Sequence, residues 1–253
     1  PILLAPAMNT GMWTADATQA NLRTLQARGV HFVGPESGFL ACGDTGAGRM
    51  SEPVQIVEAA EKLLHPRRDL EGLRVLVTAG PTLERIDPVR YLTNDSSGKM
   101  GYAIAAAAQA RGASVTLVSG PVHLATPTGV TVIPVVSTQD LYDAMMAHCG
   151  SQDIIIQAAA PADYRPAVTA PEKLKKQDGQ PFTLTLVENP DVAKAVGEQK
   201  KPGQILVGFA AETEHLLENA QKKLGKKHLD MIVANDVTQA GAGFGVDTNI
   251  VTL

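Results

Sequence analysis

Residues 73–80 read LRVLVTAG, and this octapeptide decides the fold. Its apolar residues run without a polar alternate through Val75, Leu76 and Val77, the pattern of a strand buried on both faces rather than one. Ala79-Gly80 ahead of Pro81 closes it in a tight turn. Such a strand needs helices on both sides, and the residues downstream supply them. An alanine-rich helix is expected over Lys99 to Arg111, followed by strands SVTLVSG (114–120) and VTVIPVV (130–136) and a helix from Thr138 to His148. Strand DIIIQAA (153–159), the alternating run FTLTLV (182–187) and a helix from Asp191 to Gln199 come next. Strand QILVGFAAE (204–212), a helix from Glu214 to Lys227 and strand DMIVAND (230–236) complete the series. Strands alternating with helices imply an α/β doubly wound, mainly parallel sheet.

Upstream, LHPRRDLEGLR (64–74) holds a proline, a glycine and several charges without an apolar period, and reads as a linker. The block before it offers a strand at Ile2 to Ala5, a helix from Asp16 to Arg28, a strand at His31 to Val33 and a helix from Pro53 to Leu64. Two strands and two helices cannot bury a parallel sheet on both faces. Residues 1–70 are therefore expected to be the later part of one domain plus a linker, and residues 71–253 a second domain. The chain opens on Pro1 in the apolar run PILLAPAM and stops at NIVTL, so it is expected to be a fragment of a longer protein.

Apolar residues make up 44 % of the 253, enough for a sizeable core. With 22 Lys and Arg against 26 Asp and Glu the net charge is −4, which argues against non-specific nucleic-acid binding. No apolar run approaches the length of a membrane span. Cys42 and Cys149, the two cysteines, form neither a disulfide framework nor a zinc spacing, which suits a reducing, cytoplasmic setting.

Three stretches of the second domain carry candidate chemistry. The long loop from Gly80 to Gly98 leads into the helix at Lys99, and loops of that length in compact domains are usually functional. A helix start offers unpaired N–H groups and the positive end of a dipole, so phosphate or carboxylate is the natural occupant. Ser96 and Ser97 suit the cap, and Gly98 and Gly101 allow close approach. A Walker loop is absent, because Met100 stands where Ser or Thr is needed, and no Gly-x-Gly-x-x-Gly follows the first strand. Asp163, just past a strand end, could take a ribose hydroxyl or a metal-bound water. Lys173, Lys175 and Lys176 are either a solvated face or a flap able to close on polyphosphate. Lys222, Lys223, Lys226 and Lys227 crowd a helix end, where the dipole alone would favour cations. In the first block Asn9 follows a strand, and Cys42 sits in the glycine-rich loop ACGDTGAGRM (41–50) with Asp44 and Arg49.

Taken in order, PAMNTGMW, ACGDTGAGRM, TAGPTLERIDPVRYLTNDSSGKMG, AAPADYRP with APEKLKK, and GFAAET with ANDV resemble the bacterial bifunctional coenzyme A biosynthesis family. That family joins a phosphopantothenoylcysteine decarboxylase to a phosphopantothenate–cysteine ligase, and the likeness covers nearly the whole chain. It implies a Rossmann-like ligase domain preceded by an incomplete flavodoxin-like α/β half-domain. It implies CTP and Mg²⁺ for the ligase and FMN for the decarboxylase of the longer protein. Residue by residue, Asn9 matches the Asn holding the carboxylate of the cysteine moiety, and Cys42 the cysteine that protonates the aminoenethiol intermediate. Asn94 matches the Asn that anchors phosphopantothenate and its activated form, with Ser97 and Gly98 beside it. Lys173 matches the lysine needed when cysteine attacks. The resemblance places Gly80, Asp163, Lys173, Phe209, Lys223 and Lys227 toward the nucleotide, with Asp163 as candidate metal ligand. The family's upstream flavin-binding strands and histidine are not in the chain, so no decarboxylation is expected from it alone. Phosphopantothenate, L-cysteine and CTP are the implied partners, with a homodimer through the ligase and higher assemblies of the full-length protein. The rivals are a nicotinamide-dependent reductase and an inactive nucleotide-binding fragment; residue types do not choose CTP over ATP.

Overall fold

The computed structural model describes residues 1–65, 67–176, 179, 181–212, 216–236 and 248–253. Its contacts divide the chain into unit 1, Pro1–Arg67, and unit 2, Arg68–Leu253.

Unit 1 runs β1 (Ile2–Leu4), α1 (Thr10–Thr14), α2 (Asp16–Ala27), β2 (Val30–Phe32), β3 (Glu36–Phe39), β4 (Thr45–Arg49) and α3 (Pro53–Leu64). Two strands and two helices were legible; α1 and the β3–β4 hairpin are additional, since neither carries an apolar period. β1 pairs with β2 in parallel, and β3 with β4 antiparallel. A two-stranded parallel sheet has little face to bury. Ile2 is 60 % and Phe39 72 % exposed, while Leu40 and Ser51 are buried.

Unit 2 begins with β5 (Arg74–Ala79), β6 (Glu84–Arg85), β7 (Tyr91–Leu92), α4 (Lys99–Ala110), β8 (Ser114–Ser119), β9 (Thr131–Pro134) and α5 (Thr138–His148). It continues with β10 (Ile154–Gln157), β11 (Tyr164–Pro166), β12 (Leu186–Glu188), α6 (Val192–Gln199), β13 (Ile205–Glu212), α7 (Leu216–Lys226), β14 (Met231–Asp236) and β15 (Val251–Thr252). The expected helix start at Glu214, and Thr213 and Val237 of the quoted motifs, lie outside the described residues.

The seven-stranded sheet has the order β15-β14-β13-β10-β5-β8-β9, with every pair parallel except β14–β15. Read from β9 through β14 this is the doubly wound dinucleotide-fold order, with its reversal between β5 and β10. The order arises without the glycine fingerprint that usually announces it. β5 lies at the centre, and its residues from Val75 to Ala79 are all buried. Val75, Val77 and Ala79 pack with Ala105 and Ala108 of α4 on one face; Leu76 packs with Met145, Ile155 and Leu206 on the other. FTLTLV forms a strand only at its end: β12 pairs antiparallel with β11 in a ribbon outside the main sheet. The long loop after β5 contains its own small hairpin, β6–β7, in which the Arg85 guanidinium lies 5.3 Å from the Tyr91 ring centre.

Carboxylates tie the amino ends of the strands. Asp153 accepts from Arg74 N at 2.8 Å and from the Arg74 guanidinium at 3.1 and 3.0 Å. Asp230 accepts from Lys200 Nζ and from Leu206 N, each at 2.7 Å. The Arg74 guanidinium holds the Asp153 carboxyl below its ordinary range. Burial pushes Asp230 up, but Lys200 and the Leu206 amide outweigh it and leave the carboxyl lowered. Both groups take up protons less readily folded than unfolded. Their stabilisation is therefore complete above the unfolded carboxylate value, about pH 4, and is lost as pH falls through the lower folded values. The melting temperature is expected to be level from neutrality to about pH 5 and to fall below about pH 4, as read by circular dichroism. A transition that rose on acidification would contradict these ties.

Candidate functional site

The crossovers reverse direction between β5 and β10, and ligands bind beyond the carboxyl ends of the strands at such a point in folds of this type. A cavity of about 390 Å³ lies at this point and extends over β13. Thr78, Gln157 and Phe209 line it from the strand ends, and Lys223 and Lys227 from the α7 side. Asp163 and the turn Asn189-Pro190-Asp191 close another wall. The structure thus brings together four of the residues singled out for the nucleotide: Asp163, Phe209, Lys223 and Lys227.

Three further residues of the cavity lining escaped the sequence reading. Asp191 caps α6, accepting from Lys194 N at 3.1 Å and from Lys227 Nζ at 3.0 Å through the same oxygen. Burial pushes its carboxyl up, yet the Lys194 amide and the Lys227 ammonium more than compensate and hold it low. Asn189 is a staple: its N–H donates to Asp163 O and its Nδ2 to Ala162 O, both at 2.8 Å, while its Oδ1 accepts from Arg165 at 2.9 Å. An Asn-Pro-Asp turn at a helix start is a readable cap signal, though nothing in it announces a cavity. Gln157 ends β10, and its Nε2 is buried with no hydrogen-bond partner among the described residues. A buried donor left unmade costs about 1–3 kcal/mol, so a ligand bringing an acceptor would recover it.

The glycine turn lies next to this cavity and shares a wall with it. Gly80 and Gly98 both have positive φ, +80° and +78°, and a Cβ on Gly98 would sit 3.4 Å from Gly80 Cα and 2.8 Å from Val122 Cγ1. Ala160 N donates to Gly80 O at 2.9 Å. Asn94 Nδ2 donates to Ala160 O, and Asn94 Oδ1 accepts from Ser96 N at 3.0 Å. Thr82 Oγ1 accepts from Ala162 N at 2.9 Å and lies 2.9 Å from Thr138 Oγ1. Glu84, also buried, takes Thr138 N and Oγ1 at 2.9 and 2.8 Å. Ala160 and Ala162 are thereby bolted to the 80–98 loop, while their neighbours Ala159 and Pro161, and Ala162 itself, line the cavity. The helix cap is Gly98, without a side-chain cap; Ser96 and Ser97, which suit that role by type, do not perform it. Here Asn94 serves the loop's own geometry.

Lys173 does not line the cavity. It is exposed, on a segment whose next residue, Leu174, is held by Asp87 and Arg90. Gln177, which follows the three lysines, lies outside the described residues. Among the described residues no group of three or more His, Cys, Asp or Glu could hold a metal ion. A divalent cation at Asp163 would depend on oxygens brought by the ligand.

In unit 1, Asn9 and Cys42 line one cavity with Met8, Phe39, Leu40 and Met50. Asn9 also caps α1, its Oδ1 accepting from Met12 N at 2.7 Å. The Cys42 thiol is exposed and donates to Asp44 Oδ2 at 3.5 Å. Tested against a flavin, this cavity offers one cation, Arg49, and its guanidinium is paired with Glu52. The residues present do not by themselves make a flavin site.

Comparison with known proteins gives concordant matches. The family described as "DNA/pantothenate metabolism flavoprotein C-terminal domain" matches residues 70–253, and the family "Flavoprotein" matches residues 1–65. The coenzyme A biosynthesis bifunctional protein CoaBC of Vibrio vulnificus (strain YJ016) is 51 % identical over 254 residues, covering 100 % of this chain. The chain spans 63 % of the length of that curated relative. Among solved structures, the C-terminal domain of a CoaBC protein is 48 % identical with a TM-score of 0.60, over 67 % of this chain and 80 % of that one. The DNA/pantothenate metabolism flavoprotein of Streptococcus pneumoniae is 27 % identical with a TM-score of 0.60, over 68 % of this chain and 85 % of that one.

Proposed function

The chain belongs to the CoaBC family of coenzyme A biosynthesis bifunctional proteins, and from that membership we propose that unit 2 couples phosphopantothenate to L-cysteine at the expense of CTP. A bare carboxylate is a poor acyl donor and must first become a mixed anhydride. A carboxylate oxygen of phosphopantothenate attacks the α-phosphorus of CTP; the bond to the bridging oxygen breaks and pyrophosphate leaves. The cysteine amine then attacks the acyl carbon, the anhydride C–O bond breaks, CMP leaves, and the amine gives up a proton.

One observation carries this reading: the strip 159–162 lines the cavity at the reversal of the sheet through Ala159, Pro161 and Ala162 and is bonded to the Gly80–Gly98 loop through Ala160 and Ala162. Two anionic reactants that must meet in line need adjoining sites held by one rigid element. Lys223 and Lys227 supply positive charge where the leaving pyrophosphate gathers negative charge. The unpaired Gln157 amide asks for an acceptor, which a nucleotide base or ribose carries. Asp163 is assigned to the ribose or to the Mg²⁺ that accompanies the triphosphate. The homodimer through unit 2 belongs to the same proposal, as do Asn9 and Cys42 acting on the cysteine-derived end of a substrate in the longer relatives.

Pyrophosphate release measured with this chain, phosphopantothenate and CTP is expected without cysteine, limited to about one turnover, and to become continuous when cysteine is added. ATP in place of CTP reads the base choice. Nucleotide binding without release would leave an inactive nucleotide-binding unit. Tight binding of a reduced nicotinamide cofactor, with neither triphosphate accepted, would overturn the ligase in favour of a reductase.

A further inference from the structure

We propose that Asp87 is a positioning residue for the lysine segment, gripping Leu174 jointly with Arg90 so that Lys173 is presented from a fixed backbone. The Asp87 side chain is 0 % exposed, yet it neighbours a surface segment. Its Oδ1 accepts from Val89 N and Arg90 N, both at 2.8 Å. Its Oδ2 accepts from Arg90 Nε at 2.9 Å, from Arg90 Nη2, and from Leu174 N at 3.1 Å. Arg90 Nη2 donates onward to Leu174 O at 2.7 Å. Both backbone groups of Leu174 are thus bound by the two members of one ion pair, across 87 and 84 positions of sequence.

A buried carboxylate is costly unless its oxygens are satisfied, and here donors from three residues reach it. The Arg90 guanidinium, first among them, holds the Asp87 carboxyl far below its ordinary range, against the effect of burial. The grip therefore persists below the ordinary carboxylate range. A planar carboxylate paired with a planar guanidinium fixes direction as well as distance, which one flexible lysine contact would not. Two further ties align the same strip: Ala170 N donates to Ile86 O at 2.9 Å and Thr169 Oγ1 to Arg85 O at 3.1 Å. Leu174 is the residue between Lys173 and Lys175, so holding its N–H and C=O sets where both lysine stems begin. A misplacement of about 1 Å in a positioned group can cost about a hundredfold in rate.

The kinetic arm of the test rests on the ligase reading above; two other arms do not. In the whole wild-type chain, amide hydrogen exchange at Leu174 should be slowed at least roughly tenfold relative to Lys175, the worth of a hydrogen bond to a charged group. Equal exchange would overturn the grip. Asp87→Asn turns an acceptor into a donor facing Leu174 N–H and Arg90. Tryptic cleavage at Lys173, Lys175 and Lys176 should then accelerate roughly tenfold, while Asp69→Asn, which breaks the exposed pair with Arg111, should not accelerate it. Equal cleavage in the two variants would also overturn the grip. With substrates, Asp87→Asn should keep pyrophosphate release within about twofold and slow cysteine-dependent turnover of the acyl nucleotide roughly tenfold, in kcat more than in KM. Loosened cleavage with both half-reactions unchanged would overturn the positioning role, as would an equal fall in both half-reactions accompanied by a lower melting temperature. Absence of pyrophosphate release in the wild type would sink the ligase reading while exchange and proteolysis still judge the grip.

Discussion

Lys173→Gln is expected to leave pyrophosphate release within about threefold of wild type and to slow transfer of the acyl group to cysteine about a hundredfold or more. Glutamine keeps the length and polarity of the stem and removes the charge. When the amine attacks and CMP departs, negative charge grows on the leaving phosphate, and a positioned ammonium is worth most at that moment. Lys173 is exposed and lies outside the lining of the nucleotide cavity, so formation of the anhydride should depend on it little. The two steps separate in a rapid-quench experiment with labelled CTP, in which the acyl cytidylate should accumulate in the variant and disappear only slowly after cysteine is added. Undiminished amide formation would remove Lys173 from the reaction. A variant that fails already at pyrophosphate release would move the residue to the first step.

Gly101→Ala is expected to destabilise unit 2 by about 1–3 kcal/mol, the usual cost of overpacking. A Cβ at this position would lie 2.5 Å from Ala79 Cβ, 2.7 Å from Thr78 O and 3.0 Å from Ala79 Cα. Two of those three neighbours are backbone of the central strand β5, which cannot yield, so α4 must move instead. Gly98 caps α4 just ahead of its first turn, and the displacement would open its approach to Gly80. Urea unfolding should therefore show a lower midpoint at unchanged slope, and half-saturation by phosphopantothenate should rise with it. An unchanged midpoint would mean that α4 has room to retreat, and the close fit of helix on strand would lose its assigned role.

Both expectations depend on features that differ in how far they could be read from the chain. The continuous apolar run at 73–80 was legible as a doubly buried strand because no polar alternate interrupts it, and β5 is indeed central. The alanine-rich helix was legible for a similar reason: Gly101, Ala105 and Ala108 are small at helical spacing, and they are the residues that pack down on β5. The 182–187 alternation misled in part, since period-two patterning identifies a half-exposed strand without naming its partner. Only 186–188 pair, with β11, outside the main sheet. Ser96 and Ser97 suited the helix cap by type, but the position fell to Gly98, whose positive φ lets the chain turn against Gly80.

The candidate site divides in the same way. Asp163 at a strand end and a lysine cluster on one helix were legible in the residues, the resemblance singled out Phe209, Lys223 and Lys227, and the four line one cavity. Asp191, Asn189 and Gln157 were missed, because an Asn-Pro-Asp turn looks like any helix cap and a glutamine at a strand end looks like nothing in particular. Asp87 was passed over as one charge in a polar loop; its burial and its hold on Leu174 exist only once residues far apart in sequence are adjacent.

By itself, then, the order of apolar runs and small residues was sufficient to determine a doubly wound sheet with its ligand face at the strand ends, and the motifs pointed to coenzyme A biosynthesis. Periodicity is a local property, and burial of each element's apolar face follows from it. Only the tertiary structure decided which loops share a wall, which amide is left unpaired at Gln157, and that an ion pair at 87 and 90 holds the backbone at 174. Those are contacts between side chains and distant backbone groups, whose strength depends on direction to within a few tenths of an ångström, and no one-dimensional pattern encodes direction.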